Sequence, residues 1–178
     1  MKELLTFQTK KYIYKHDPDI LKYTHDGVST ELVFITHPQS FHHKYALNTG
    51  MDSGFRPAPT LLWDYTLYQE NESLNVYACA EYKGKDTVWC EAPFFNTSTG
   101  SVCLGTTKID PQDFGLDVNK LKTDIVKGFF DSAFTHAGTS RCTKTNFITL
   151  QQKLLNEEEF PKEELVPLQN PNLQEYFI

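Results

Sequence analysis

Cys103 lies in a stretch of the chain, residues 91–111, that has neither helical nor strand periodicity. An ordered loop of this kind can hold a thiol at the surface, where the thiolate that acts as a nucleophile can form. Asn96 on the same stretch could donate an amide hydrogen to a developing oxyanion. Gly100, three residues before the cysteine, permits a tight backbone turn. Together these residues indicate acyl transfer through a thiol.

Two other cysteines fall on a predicted β-hairpin. Residues 74–90 alternate like paired strands, and Gly84-Lys85 suits a two-residue type II′ turn because glycine adopts a positive φ at little cost. In that register Cys79 faces Cys90 across the strands. We interpret both as small apolar residues of a packed sheet, and a redox pair is the alternative.

A metal centre is not expected. The four cysteine positions give no C-x-x-C spacing, and Cys142 is interpreted as another core residue. His37, His42 and His43 cluster in one segment, but no cysteine or carboxylate stands near them at ligand spacing. The sequence therefore predicts neither a metal nor an organic cofactor.

His136 is the histidine with a candidate catalytic role. It follows an apolar stripe that begins at Val118, so it could simply cap the last carbonyls of a helix. Alternatively it lies beside the loop of Cys103, where it lowers the pKa of the thiol or takes a proton from an incoming nucleophile. Asp110 and Asp113 could instead help to deprotonate an acceptor amine, although loop carboxylates of this kind are most often solvated.

The loop resembles a known active-site signature. Asn96 followed by Gly-Ser-Val-Cys-Leu at residues 100–104 is similar to the motif of the ubiquitin-conjugating enzymes, where a His-Pro-Asn turn precedes Gly-Ser-Ile/Val-Cys-Leu. Two departures are visible. Phe94-Phe95 stands where that family has His-Pro, and the interval from Asn96 to Cys103 is one residue shorter than usual.

A bacterial branch, the PRTRC system protein B family within the D family of prokaryotic ubiquitin-conjugating homologues, is a closer match. The resemblance is carried by residues 92–96, 100–105 and 130–136. It implies a four-stranded antiparallel meander with packing helices. It also implies that Cys103 carries a ubiquitin-like protein as a thioester. The implied partners are that ubiquitin-like protein, a ThiF-type adenylating enzyme and an amine acceptor.

The predicted elements agree with this order. Asp117 is a plausible N-cap, and an apolar stripe at spacings of three and four predicts a helix that ends near Gly138. Strands followed by helices favour an α+β fold with an antiparallel meander. We predict one ubiquitin-conjugating-like domain over residues 1–155 and an acidic, extended tail over residues 156–178. The remaining expected elements are strands at 5–14, 28–36, 60–68 and 74–82, loops at 15–27 and 38–59, and a second helix at 147–155.

Composition excludes several classes of function. The chain has 178 residues and a net charge of −6, which disfavours binding to nucleic acid because that binding depends on Lys and Arg. No segment resembles a signal peptide or a membrane span. We therefore expect a cytoplasmic protein whose thiols stay reduced.

Two other functions remain open at this point. The fold could serve as a non-catalytic adaptor that binds a ubiquitin-like partner, although the presence of Cys103 argues against it. A Cys/His hydrolase using Cys103 and His136 is a weaker alternative. Such enzymes usually place the cysteine at a helix N-terminus, whereas thirteen loop residues are predicted between Cys103 and the helix.

Overall fold

The computed structural model describes residues 17–105, 109, 117–137, 141–169 and 173. The strand predicted over residues 5–14 lies outside the described residues. In this part of the chain no helix is both long and apolar enough to cross a membrane. The elements are β1 (Ile20–His25), β2 (Ser29–Thr36), β3 (Gln39–Tyr45), β4 (Gly54–Ala58), β5 (Thr60–Tyr68), β6 (Asn71–Cys79), β7 (Cys90–Glu91), β8 (Thr97–Ser98), β9 (Ser101–Val102), α1 (Val118–Asp131), β10 (Ala133–Phe134) and α2 (Phe147–Lys153).

The larger of two sheets has the strand order β1-β2-β5-β6-β9-β8, with β7 also paired to β6. Its neighbouring strands are antiparallel, so the predicted α+β fold with an antiparallel sheet is confirmed. The smaller sheet has the order β10-β3-β4, and β10 runs parallel to β3. This small sheet carries the segment after α1 toward the loop of Cys103.

Strands β1, β3 and β4 occupy segments that the sequence assigned to loops at 15–27 and 38–59, so those two loop predictions were wrong. The residues of β3 are mainly polar, yet His43 and Tyr45 point into the core. Pro57 lies in β4, which pairs only with β3 within the part of the chain that the structure describes, and a missing N–H is tolerated on such an edge strand. Burial that depends on a distant partner, not local propensity, stabilises these strands.

The hairpin at Gly84-Lys85 has the predicted turn but not the predicted register. Gly84 has φ 59°, and the N–H of Asp86 donates to the carbonyl of Lys83 at 3.3 Å. Residues 80–89 leave the ladder, however, and Cys90 pairs with Ala78 instead of Cys79.

A shift of one residue turns a side chain to the opposite face of the sheet. Cys79 and Cys90 accordingly lie in two separate apolar clusters, so their predicted facing pair, and with it the redox alternative, was wrong.

Helix α1 covers one face of the larger sheet with the apolar stripe that the sequence predicted. Its buried residues include Leu121, Ile125 and Phe129, and Trp63 of β5 stacks edge-on against Phe129. The helix begins where expected, because the side chain of Asp117 accepts from the N–H of Lys120 at 3.0 Å.

The helix ends at Asp131, not near Gly138. Ala133 and Phe134 instead form β10 and pair with β3, which supplies their backbone hydrogen bonds. His136 is therefore beyond a strand, and its interpretation as a helix C-cap was wrong.

The segment after α2 packs more closely than an extended tail would. Phe160 and Leu165 are buried in the main core, and Pro167 bridges to Cys90 of β7. The expectation that residues from 156 onward lie outside the core was therefore wrong for these side chains, because an acidic sequence still presented apolar residues at intervals. The domain boundary at residue 155 stays a prediction.

Candidate active site

Cys103 follows a minimal hairpin. Strands β8 and β9 pair Thr97 with Val102 and Ser98 with Ser101, leaving Thr99 and Gly100 as the two turn residues. Their φ angles are 52° and 87°, the positive pair that a type I′ turn requires. The tight turn expected at Gly100 is confirmed.

The tip of this hairpin rests on β6. The N–H of Val76 donates to the carbonyl of Gly100 at 2.8 Å. A Cβ atom on Gly100 would lie 2.6 Å from Cζ and 2.8 Å from the hydroxyl oxygen of Tyr77, and would also collide with the ring's Cε1. Glycine is therefore needed here for close approach as well as for φ. The sequence did not predict the contact with Tyr77, because no local pattern links that residue to the loop.

Of the four cysteines, all of which the structure describes, Cys103 alone is exposed. It lies outside any strand or helix, as the sequence predicted, but the expectation of a loop throughout residues 91–111 was wrong for the short strands β8 and β9 that precede it. Burial raises the pKa of Cys79 to about 12 and that of Cys142 to about 11, and it also raises the pKa of Cys90. These three thiols are poor nucleophiles at neutral pH because their charged form is disfavoured.

The backbone of Asn96 joins the three residues that the sequence singled out. Its carbonyl accepts from the N–H of Cys103 at 2.8 Å, and its own N–H donates to the carbonyl of His136 at 2.9 Å. Since three covalent bonds separate the two atoms of Asn96, the backbone groups of Cys103 and His136 are at most about 10 Å apart. The fold thus brings Cys103, Asn96 and His136 into one site.

The side chain of Asn96 is buried and faces the segment after β10. Its Nδ2 donates to the carbonyl of Ala133 at 3.2 Å, while Oδ1 accepts from the backbone N–H groups of Thr135 at 3.0 Å and His136 at 3.3 Å. Its φ is 59°, in the left-handed region that Asn tolerates better than most residues. Asn96 therefore fixes the position of Thr135 and His136 relative to the cysteine loop.

His136 is exposed, as is its neighbour Thr135. The Oγ1 of Thr135 lies 2.9 Å from Nδ1 of His136 and 3.2 Å from Oδ1 of Asn96. Sequence reasoning did not select Thr135. The only available signal was its place between Phe134 and His136 in the segment that resembles the bacterial family.

The residues that replace His-Pro anchor the loop in the core. The ring of Phe94 meets that of Phe130 edge-on with centroids 5.4 Å apart, and Phe95 meets Tyr45 edge-on at 5.0 Å. Both side chains are almost fully buried. The two buried rings thus fix the backbone just before Asn96. Their edge-on contacts are an arrangement that aromatic pairs prefer.

A buried polar chain reinforces this anchor. The Nε2 of Gln151 donates to the carbonyl of Pro93 at 2.8 Å, and its Oε1 accepts from the hydroxyl of Tyr45 at 3.3 Å. That hydroxyl also contacts Nδ1 of His43 at 3.3 Å. Because the carbonyl of Pro93 can only accept, the direction of each hydrogen bond is fixed. Nδ1 of His43 donates to the Tyr45 hydroxyl, which donates to Gln151, which in turn donates to Pro93.

The histidines of the 37–43 segment separate in the structure. Nε2 of His37 lies 3.0 Å from Oδ1 of Asp19, His42 packs edge-on against Phe55, and His43 is buried. Across the described ranges no three His, Cys, Asp or Glu side chains gather where they could hold a metal ion. Asp110 and Asp113, the candidate helpers of an acceptor amine, lie outside the described residues.

Comparison with protein families gave one match. The model described as prokaryotic E2 family D matches residues 5–168, which include the hairpin, the cysteine and the segment after β10. Neither the curated proteins nor the solved structures gave a match.

Proposed function

Because the chain belongs to prokaryotic E2 family D, we propose that it is a thiol carrier in a ubiquitin-like conjugation pathway. Membership of this family associates the chain with ubiquitin-like conjugation. The observation that supports a catalytic role most directly is that Cys103 is exposed on the docked hairpin while the other three thiols are buried. A bulky protein acyl group can reach only an exposed sulfur.

In the loading step the thiolate of Cys103 attacks the activated C-terminal carbonyl of a ubiquitin-like protein. A C–S bond forms, and the bond to the leaving group on the adenylating enzyme breaks. The product is a thioester, which divides one difficult acyl transfer into two easier ones. The chain supplies the nucleophile here, and ATP is consumed upstream.

In the discharge step the nitrogen of an acceptor amine attacks the thioester carbonyl. A C–N bond forms, the C–S bond breaks, and the sulfur of Cys103 is released. His136 accepts the proton that leaves the nitrogen. The oxyanion role expected of Asn96 stays a prediction. Its Oδ1 accepts from the N–H groups of Thr135 and His136, and Nδ2 donates one hydrogen to the carbonyl of Ala133.

The proposed partners follow from the family resemblance. They are a ubiquitin-like protein, a ThiF-type adenylating enzyme and an amine acceptor, in a bacterial operon of the PRTRC kind. A cytoplasmic location belongs to the same proposal, since thiols stay reduced there. No metal or organic cofactor is assigned to the reaction.

The geometry disfavours the hydrolase alternative. Cys103 follows strand β9 and is not the first residue of a helix, so it lacks the dipole that activates the thiol in many cysteine hydrolases. The adaptor alternative needs no exposed cysteine. It therefore does not explain why Cys103 is exposed on a loop that the backbone of Asn96 joins to His136.

A reconstitution tests the proposal. The purified chain is mixed with a candidate ThiF-type adenylating enzyme and ubiquitin-like protein, together with ATP, and adducts are resolved with and without a thiol reductant. We expect a reductant-sensitive adduct that Cys103→Ala abolishes. Cys103→Ser should give a more stable ester, because an oxygen ester resists thiols.

Cys142→Ala provides the matched control, since it removes a buried thiol and should leave the adduct intact. An adduct that persists in Cys103→Ala would contradict the thiol-carrier proposal. Binding of the ubiquitin-like protein without any adduct would replace it with the adaptor function.

A further inference from the structure

The orientation of the Asn96 side-chain amide is fixed by backbone groups. Its Nδ2 faces the carbonyl of Ala133, which can only accept, and its Oδ1 faces the N–H groups of Thr135 and His136, which can only donate. Exchanging the two ends of the amide would place donors against donors and an acceptor against an acceptor. The oxygen of Asn96 is therefore the atom that meets Thr135.

This orientation determines where the hydroxyl hydrogen of Thr135 points. Oδ1 of Asn96 can only accept, so the contact of 3.2 Å requires that the hydroxyl donate its single hydrogen to Asn96. The contact of 2.9 Å between the same Oγ1 and Nδ1 of His136 must then be donated by the imidazole. In the neutral ring the proton is consequently on Nδ1, and Nε2 carries a lone pair.

We propose that Thr135 is a positioning residue that fixes the tautomer of His136 so that Nε2 is the proton-accepting atom on the segment that Asn96 joins to Cys103. The tautomer of a histidine is set by the hydrogen bond that its other nitrogen makes. Without Thr135 the ring could rotate or carry its proton on Nε2. In that tautomer Nε2 has no lone pair with which to accept a proton. The proposed functional consequence rests on the thiol-carrier function, whereas the tautomer itself does not.

The chemistry concerns the discharge step. As the amine nitrogen of the acceptor bonds to the thioester carbonyl, its proton passes to Nε2 of His136, and the C–S electron pair returns to the sulfur of Cys103. The other ring proton stays on Nδ1 of His136 throughout, where it is donated to Oγ1 of Thr135. The imidazolium then releases its Nε2 proton to the thiolate or to water, which restores the starting state and balances the reaction.

The tautomer can be measured on the isolated chain by nitrogen-15 NMR of the imidazole. The sample is held at about pH 8.5, where neutral imidazole predominates in ordinary histidines. The ring is assigned by the loss of its signals in His136→Gln. We expect the Nδ1–H pattern for His136 in the natural chain. An Nε2–H pattern there would overturn the proposal without any further variant.

Variants at Thr135 then separate positioning from structure. Thr135→Val keeps the shape but removes the hydroxyl, and it should move His136 toward the Nε2–H tautomer. Thr135→Ser restores a hydroxyl and should restore the Nδ1–H pattern. Thr123→Val removes another threonine hydroxyl, on the exposed face of α1, and should change nothing. A natural-type tautomer in Thr135→Val would also overturn the proposal.

Kinetics provide the functional arm. A thioester preformed on Cys103 is challenged with free lysine, and the discharge rate is measured separately from the loading rate. We expect Thr135→Val to slow discharge roughly tenfold or more, in line with general-base contributions, with loading unchanged and Thr135→Ser near normal. Equal slowing of loading and discharge would reject the positioning role. Failure of the natural chain to form any thioester would reject the thiol-carrier function while leaving the NMR result intact.

Discussion

The backbone N–H of Cys103 donates to the carbonyl of Asn96 at 2.8 Å. This bond continues the register of the short hairpin, in which Thr97 faces Val102 and Ser98 faces Ser101. The spacing between the asparagine and the cysteine is thus set by a two-residue turn and three facing pairs. Any change that opens the turn should displace the sulfur from the segment held by Asn96.

The turn residue Gly100 should be sensitive to a single methyl group. Gly100→Ala brings a Cβ against the ring of Tyr77 at a φ of 87°. Gly105→Ala is the matched control, because its φ is 60° but no atom of the described residues lies within 4 Å of its Cβ. We expect Gly105→Ala to cost about 1–2 kcal/mol from backbone strain. Gly100→Ala should cost at least about 1 kcal/mol more from the collision.

Urea denaturation of both variants measures this difference directly. Equal losses of stability would mean that the ring of Tyr77 moves aside and does not hold the hairpin. The same samples can be treated with iodoacetamide, and the alkylation rate of Cys103 should change more in Gly100→Ala than in Gly105→Ala.

The buried His43 should make stability depend on pH. It is 1% exposed, its Nε2 has no hydrogen-bond partner among the described residues, and burial, with smaller contributions from Arg56 and His42, lowers its pKa from 6.5 to about 3. Below pH 6.5 the unfolded chain binds a proton that the folded chain does not, so stability falls as the pH drops toward 3. At pH 5 the loss from this group is about 2 kcal/mol.

Urea midpoints measured at pH 7.5 and pH 5 test this effect. His43→Phe places an apolar ring among the aromatic neighbours and removes the titrating group, so its stability should fall less over the same interval. An identical loss in the natural chain and in His43→Phe would show that other groups cause the pH dependence.

Gln151 should stabilise the chain far more than its neighbour on the same helix. Gln151→Met removes the partner of the Pro93 carbonyl and of the Tyr45 hydroxyl inside the core. We expect a loss of about 2–4 kcal/mol, because buried polar groups that lose a partner are costly. Gln152→Met changes an exposed residue and should lie within about 0.5 kcal/mol of the natural chain. Similar losses of stability in the two variants would contradict a stabilising role for the buried hydrogen bonds of Gln151.

The side chain of Asn96 makes four contacts that Asn96→Ala would remove, one to Ala133, two to Thr135 and one to His136. We expect a loss of about 2–4 kcal/mol, whereas Asn71→Ala at the exposed first residue of β6 should cost little. Discharge of the thioester is then measured at a low temperature, where Asn96→Ala is still folded. We expect slower discharge in Asn96→Ala. A discharge rate equal to that of the natural chain would rule out both the oxyanion role and a catalytic need for the contacts of Asn96 with Thr135 and His136.

Local signals in the sequence were sufficient for one part of this site. The turn chemistry of Gly100 and the irregular stretch around Cys103 predicted an exposed thiol after a tight turn, and the structure has both. The apolar stripe from Val118 to Phe129 predicted the covering helix. These features depend on residues within a few positions of one another, so spacing alone reveals them.

The sequence by itself therefore determined the thiol, its turn and the helix that covers the sheet. Only the tertiary structure decided that the Thr135–His136 segment meets Asn96, because those hydrogen bonds join residues 39 and 40 positions apart. The early end of α1 and the shifted register of Cys90 arise in the same way. In each case a distant strand offers hydrogen bonds and burial that outweigh the local preference of the chain, and no local pattern records such a partner.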